Sequence, residues 1–214
     1  MKAPLLMTLT LCLLSLVSAH AKKYRITLEN NWNVQDHLST PQSAHFSPVV
    51  AVSHNRQYSL FQQGGLSTTG MEDLAERGRT ANLLIELGLA STAGHIDDVV
   101  ETQNMFIRNQ TSQTFEVEIT PEHPYLSFAS MIAPSPDWFV GLNAMKLFSE
   151  ETGYFAGTEK AIDLMALDAG TELGDVGGNF SVNNEANLVH ETIFTLLGNG
   201  FHAPFARVSI ELIQ

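Results

Sequence analysis

Cysteine is almost missing: Cys12 is the single one among 214 residues, and it lies in an apolar leader. A chain that loses this leader has no disulfide, no thiolate metal site and no cysteine nucleophile. Basic residues are scarce as well, 11 Lys and Arg against 23 Asp and Glu, for a formal charge of −12. That balance argues against nucleic acid and bare anionic membranes as partners. It reads either as a solubility device or as an attraction for divalent cations. Beyond the leader no apolar run reaches the ~18 residues that suggest a membrane span. Repeats, low-complexity tracts and long linkers are also lacking, which leaves one domain large enough for a sizeable core. Neither an HExxH or H-x-H pair nor a G-x-S-x-G elbow occurs. A zinc hydrolase therefore has no support, and His54 or His190 could join a serine triad only through geometry that a sequence hides.

The leader accounts for the cysteine. Lys2 supplies a positive start, Leu5 to Val17 a short apolar core, and Ala19-His20-Ala21 a small-residue site, the pattern of a secretory signal cut after Ala21. Cys12 follows Leu11 rather than a small residue, so a lipid-anchor signal is not met. Residues 22–214 are expected to fold as one domain outside the cytoplasm.

What remains is rich in short strands. Tyr24 to Asn30 alternates, with Arg25, Thr27 and Glu29 on the polar face. A polar connection, Asn31 to Ser43, carries Trp32 as its one large apolar group. Phe46 to Ser53 is a nearly continuous apolar run that suits a strand covered on both sides. Tyr58 to Phe61 reads as a further short strand, ended by Gly64-Gly65. Thr69-Gly70-Met71-Glu72 has capping-box spacing and predicts a helix to about Gly78. A second helix starts near Thr80, with Leu83, Leu84 and Leu87 on one face before Gly88, and both look like a side excursion. Phe115 to Ile119 and Ala206 to Ile213 alternate as strands. About seven or eight strands without a βαβ rhythm make an all-β antiparallel sandwich the natural fold.

The chemistry gathers between Leu126 and Glu172. An apolar run, Leu126 to Ala133, stops at Pro134-Ser135-Pro136, and after Asp137 the chain resumes as Trp138-Phe139-Val140. A second run, Ala161 to Leu167, ends in Asp168-Ala169-Gly170-Thr171-Glu172. If the two runs are antiparallel neighbours, Asp137, Asp168 and Glu172 share one rim. Carboxylates crowded there repel unless a hard cation sits between them, which suggests calcium. On spacing alone, three ordinary carboxylates capping turns account for the pattern better. Asp175 and Asn179 are possible extra oxygen donors, though a solvated glycine loop explains them more simply. Trp138 is assigned to packing. Asn109-Gln110-Thr111 and Asn179-Phe180-Ser181 match the N-glycosylation triplet, a pattern that also arises by chance.

Gly64-Gly65, the block from Pro134 to Leu142, Asp168-Ala169-Gly170-Thr171 and the closing Ala206 to Glu211 occur in this order in spondin domains, and the chain resembles that family from Tyr24 to Ile213. The Ser-Pro-Asp-Trp block is the specific part. The resemblance implies a sandwich similar to the calcium-binding domains that dock on membranes, and an extracellular adhesion or matrix-binding role. It also implies calcium ligation by three acids, here Asp137, Asp168 and Glu172, the last an aspartate in the animal proteins. Glu172 keeps the charge and adds one methylene. Animal relatives place cysteines where this chain reads Leu147 to Gly153, so packing by Phe148 must hold that loop. The cysteine-free, stand-alone layout reads as that of a bacterial exported protein.

The expectation is thus a secreted, non-enzymatic, Ca²⁺-binding module engaging a matrix or cell-surface polymer. The competing reading is an exported envelope hydrolase that uses the acidic rim for acid and base.

Overall fold

Alternation decides the first strand, β1 (Lys22–Asn30): Tyr24, Ile26 and Leu28 are fully buried while Arg25, Thr27 and Glu29 face outward. The computed structural model describes residues 20–31, 41, 43–103, 105–106, 112–158, 160–174, 186–197 and 203–214. Most of the leader, Trp32, both glycosylation-like triplets, Asp175 and Asn179 lie outside the described residues.

After β1 come β2 (His45–Phe46), β3 (Val50–His54), helices α1 (Thr69–Arg77) and α2 (Ala81–Thr92), β4 (Ile96–Glu101) and β5 (Met105–Phe106). Then follow β6 (Ser112–Ile119), β7 (Tyr125–Ala133), β8 (Trp138–Lys146), β9 (Phe148–Ser149) and β10 (Gly153–Tyr154). The chain closes through β11 (Ile162–Leu164), β12 (Leu167–Asp168), β13 (Phe194–Thr195) and β14 (Ala206–Leu212).

One sheet runs β11–β14–β1–β6, and β1 pairs antiparallel with both β6 and β14. The larger sheet runs β13–β12–β8–β7–β2–β5, with β3 joined to β7 and β4 to β3. Between the sheets lies a core built on Tyr24, Phe46, Phe115, Phe128, Trp138 and Phe205. The expected all-β antiparallel sandwich is the architecture found.

The helices form more than a side excursion. A second apolar cluster joins Val50, Val52, Ala129, Phe139 and Leu167 of the large sheet to Met71, Leu74, Leu83 and Leu87 of the helices. Because the outer face of the sheet is covered in this way, β3 is buried throughout and β7 almost throughout. Trp138 and Phe139, adjacent in β8, therefore both reach zero exposure, one in each core.

Several local expectations need correction. Tyr58 to Phe61 is a loop: the Leu60 amide donates to Asn143 Oδ1 (3.2 Å), and Leu60 and Phe61 are plugs in the helical core. The cap of α1 is Thr68, not Thr69, and its hydroxyl accepts the Met71 N–H (3.2 Å). The acid that completes this cap is Glu86 of α2, which takes the Gly70 N–H (2.8 Å) and the Thr68 hydroxyl (2.7 Å). Helix α2 passes through Gly88 to Thr92, since burying Leu83 and Leu87 outweighs the ~1 kcal/mol that an interior glycine costs. The run from Ala161 to Leu167 splits, β11 pairing with β14 in one sheet and β12 with β8 in the other. Phe148 does pack the hairpin after β8, its ring 4.7 Å from that of Tyr154. The segment 186–197 closes the edge of the large sheet, with Ile193 exchanging backbone hydrogen bonds with Gly64 and Gly65 (both 2.8 Å).

Candidate metal centre

The rim is built by one short pairing. β12 lies antiparallel to β8 with Asp168 opposite Trp138, so the residue before β8 and the last residue of β12 meet at the same edge. Ser135 holds the entry to β8 by accepting the Trp138 N–H (3.1 Å), and the Ala169 N–H donates to the Asp137 carbonyl (3.1 Å). The chain then turns at Gly170, with φ +74°, where an added Cβ would stand 2.3 Å from the Glu191 carbonyl oxygen. That turn aims two successive N–H groups at Asp137.

Asp137 is fully buried, and Asp168 and Glu172 are 5% and 7% exposed. Asp137 Oδ2 accepts the Thr171 N–H (2.7 Å), the Glu172 N–H (3.1 Å) and the Thr171 hydroxyl (3.2 Å). Its other oxygen, Oδ1, is buried without a hydrogen-bond partner. Asp168 Oδ1 accepts the Gly170 N–H (2.8 Å).

Burial pushes all of these acids above the ordinary carboxylate range. For Asp137 it opposes the donors from Glu172 and Thr171. Asp168 is pushed up to about 7, by burial first and then by the charge of Asp137. Glu172 also rises to about 7, through burial and then Glu76 and Asp137. Each acid penalises ionisation of the next, a stress that a proton or a cation relieves.

The structure brings Asp137, Asp168 and Glu172 to one rim, but not into a closed cage. Among the described residues no group of three or more His, Cys, Asp or Glu side chains stands ready around a single point. Two carboxylate oxygens are engaged with the backbone of the turn, and the orphaned Asp137 Oδ1 is the group in need of a partner. The donor set is all hard oxygen, which fits calcium rather than zinc or copper.

Sequence reasoning missed Glu76. This residue of α1 has a side chain 4% exposed, and it interacts with Thr171, Asp137 and Glu172. Nothing in its spacing could have placed it here. Thr171 stood inside a recognised block, but its role as donor to Asp137 needed coordinates.

His54 does meet a serine. Its Nε2 lies 2.7 Å from Ser127 Oγ, and its Nδ1 lies 2.8 Å from the Asn55 carbonyl. A carbonyl only accepts, so Nδ1 carries the proton and Nε2 accepts from the hydroxyl. Both residues are fully buried, and a backbone carbonyl stands where a triad has its acid. This pair is a structural link between β3 and β7. His190 is exposed, with no described serine contact.

The comparisons agree with the blocks that frame the site. The family profile described as Spondin_N matches residues 22–206. Spondin-1 of Bos taurus is 32% identical over 162 residues, covering 71% of this chain and 19% of that protein. Spondin-2 of Homo sapiens is 31% identical over 185 residues, covering 84% of this chain and 54% of that one. The chain thus spans about a fifth to a half of the length of these relatives. With its sandwich, its Ser-Pro-Asp-Trp entry to β8 and its matched span from residue 22 to 206, the chain belongs to the spondin N-terminal domain family.

Proposed function

We propose that the chain is a secreted, non-enzymatic calcium-binding module whose acidic rim engages an extracellular matrix or cell-surface polymer. The observation that supports it most is Asp137, a buried carboxylate with one oxygen saturated and the other unpartnered. A hard cation held by Asp137, Asp168 and Glu172 would answer that oxygen, offset the mutual repulsion, and take the rest of its ~6–8 oxygens from backbone carbonyls and water. Rotation of the Asp168 and Glu172 side chains toward Asp137 Oδ1 would have to accompany binding. The ion would then pin residues 168–172 to the entry of β8, or bridge to a carboxylate or hydroxyl of the partner.

Export is supported by the leader and its Ala19-His20-Ala21 site. Among the described residues no helix is long and apolar enough to cross a membrane. An acid and base pair would need to face a cleft, and the cavity of about 340 Å³ lined by Glu76 and Ser135 does not include Asp137, Asp168 or Glu172.

Calorimetric titration of residues 22–214 with Ca²⁺ tests the reading. The expected result is a saturable heat and a thermal shift, both lost in Asp137→Ala. A wild-type chain with neither removes calcium from the account. Glycan and matrix panels, run with and without chelator, then identify the partner.

A further inference from the structure

The large sheet has an open edge in its interior, and it lies on β8. The Asp137 carbonyl accepts the Ala169 N–H (3.1 Å), which extends the β8–β12 ladder by a hydrogen-bonded pair. Backbone groups alternate in direction along an antiparallel strand, so Phe139, Gly141 and Asn143 turn their N–H and C=O groups to the β12 side, while Val140 and Leu142 turn theirs to β7. β12 follows β8 only as far as Leu167, opposite Phe139. Upstream of that point the chain has left this sheet, and β11 pairs with β14 instead. Among the described residues no other strand takes its place, so Gly141 and Asn143 have no ladder partner on this side.

A cleft of about 490 Å³ stands where that strand is missing. Gly141 and Asn143 line it together with Asp163 and Met165 from the β11–β12 stretch, and with Gln63 and Thr195, whose side chains are joined by a hydrogen bond (2.9 Å). Asp163 is its one charged lining residue, and it is already paired with Arg207 (2.8 Å). On a chain with a formal charge of −12 this cleft is free of uncommitted charge, which suits a neutral occupant. The edge groups recur every second residue, ~6.8 Å apart, and an extended backbone presents donors and acceptors at the same spacing.

We propose that this cleft takes an extended, uncharged segment of a partner polypeptide, which adds to β8 as a short strand at Gly141 and Asn143. Unpaired strand edges are templates for such addition, with main-chain hydrogen bonds supplying the affinity. The inference stands apart from the calcium reading, since none of the rim acids lines the cleft.

The test uses residues 22–214 in chelator, with a phage-displayed library of short random peptides as the probe. In the free chain the amides of Gly141 and Asn143 should exchange faster than those of Val140 and Leu142. A selected peptide should slow the first two at least tenfold. Methylating alternate backbone nitrogens of that peptide should weaken binding tenfold or more in one phase and little in the other, because only every second N–H would face β8. Met165→Arg, at a half-buried position, puts a charge into the cleft and should weaken binding tenfold while the chain still melts cooperatively. Slow exchange of both amides in the free chain, a library without a peptide that protects them, equal binding by the two methylated forms, or unchanged binding by a folded Met165→Arg overturns the proposal. Calcium heat bears on the rim alone, so either reading can fail without the other.

Discussion

Two buried polar clusters lie toward opposite ends of β8, and they are finished differently. Toward the far end, His54, Ser127 and Asn143 form a neutral network. Ser127 accepts the Ala144 N–H (2.8 Å), Asn143 Oδ1 accepts the Leu60 N–H (3.2 Å), and Asn143 Nδ2 donates to Ser59 (3.0 Å). At the near end Asp137, Asp168 and Glu172 are buried acids, the charge of Asp137 helps to push the other two up, and Asp137 Oδ1 has no hydrogen-bond partner. Both ends are buried and polar. Satisfaction is what separates a brace from a binding site: a completed network needs nothing more, while a deficient one is stable only if something positive completes it.

Breaking the acidic end has the largest expected effect. In Asp137→Ala the Thr171 and Glu172 N–H groups lose their acceptor, at a cost of about 1–3 kcal/mol. On the proposed calcium assignment the variant would also forfeit stabilisation by the ion, about 2.7 kcal/mol at a hundredfold excess over Kd. Urea denaturation in calcium and in chelator separates the two contributions. A variant that keeps the full calcium increment would contradict the assignment.

The turn that presents those donors comes next. Gly170 and Gly153 have nearly the same positive φ, +74° and +72°, but an added Cβ meets the Glu191 backbone at 2.3 Å in the first case and no heavy atom within 4 Å in the second. Alanine at either position carries left-handed strain of roughly 1–2 kcal/mol. At Gly170 the overlap adds about 1–3 kcal/mol and shifts the N–H groups aimed at Asp137. Gly170→Ala should therefore also weaken the calcium heat by at least tenfold, and Gly153→Ala should leave it unchanged.

How far all this was legible in sequence follows from the same physics. β1, β6 and β14 each have one wet face, so alternation gave them away. The continuous apolar runs of β3 and β7 disclosed burial but not its cause, and the helices that cover them looked peripheral. Apolar content also says nothing about partner strands, which is why Tyr58 to Phe61 passed for a strand and the run ending at Leu167 hid a switch between sheets. At the rim, the placement of Asp137 and Asp168 was legible because each stands at a strand end marked by proline or glycine, whereas spacing alone read them as turn caps and the family resemblance singled them out as ligands. Glu76 was not legible, because its neighbours are brought in by tertiary packing alone.

The neutral end offers a smaller effect and an independent check. His54→Ala removes the ring that joins Ser127 to the Asn55 carbonyl, although the Ser127 hydroxyl keeps Asn143 Oδ1 at 3.1 Å as an acceptor, and should cost about 1–3 kcal/mol by urea denaturation. Calcium affinity should not move, because the change lies outside the acidic cluster. A loss of calcium heat in this variant would mean that the two ends are energetically one unit.

The smallest expected effect is a pH dependence. Burial, with a lesser push from His123, holds the His54 ring below its usual pKa, against the Asn55 carbonyl that draws it up. Tyr58 and Tyr125 pack against the ring at centroid distances of 5.5 and 5.7 Å, so the uncharged form is the one sheltered. The folded chain thus binds this proton less readily than the unfolded chain does. Stability from His54 is complete above the unfolded value of about 6.5 and is lost as pH falls from there toward the folded value. One proton sets the limit of the slope at about 1.4 kcal/mol per pH unit. Comparing wild type with His54→Gln in chelator between pH 5 and 7.5 isolates that slope from the acids of the rim. The difference between the two chains should grow in favour of the wild type as pH rises toward 6.5 and then level off; a constant difference would show that His54 keeps the same proton in both states.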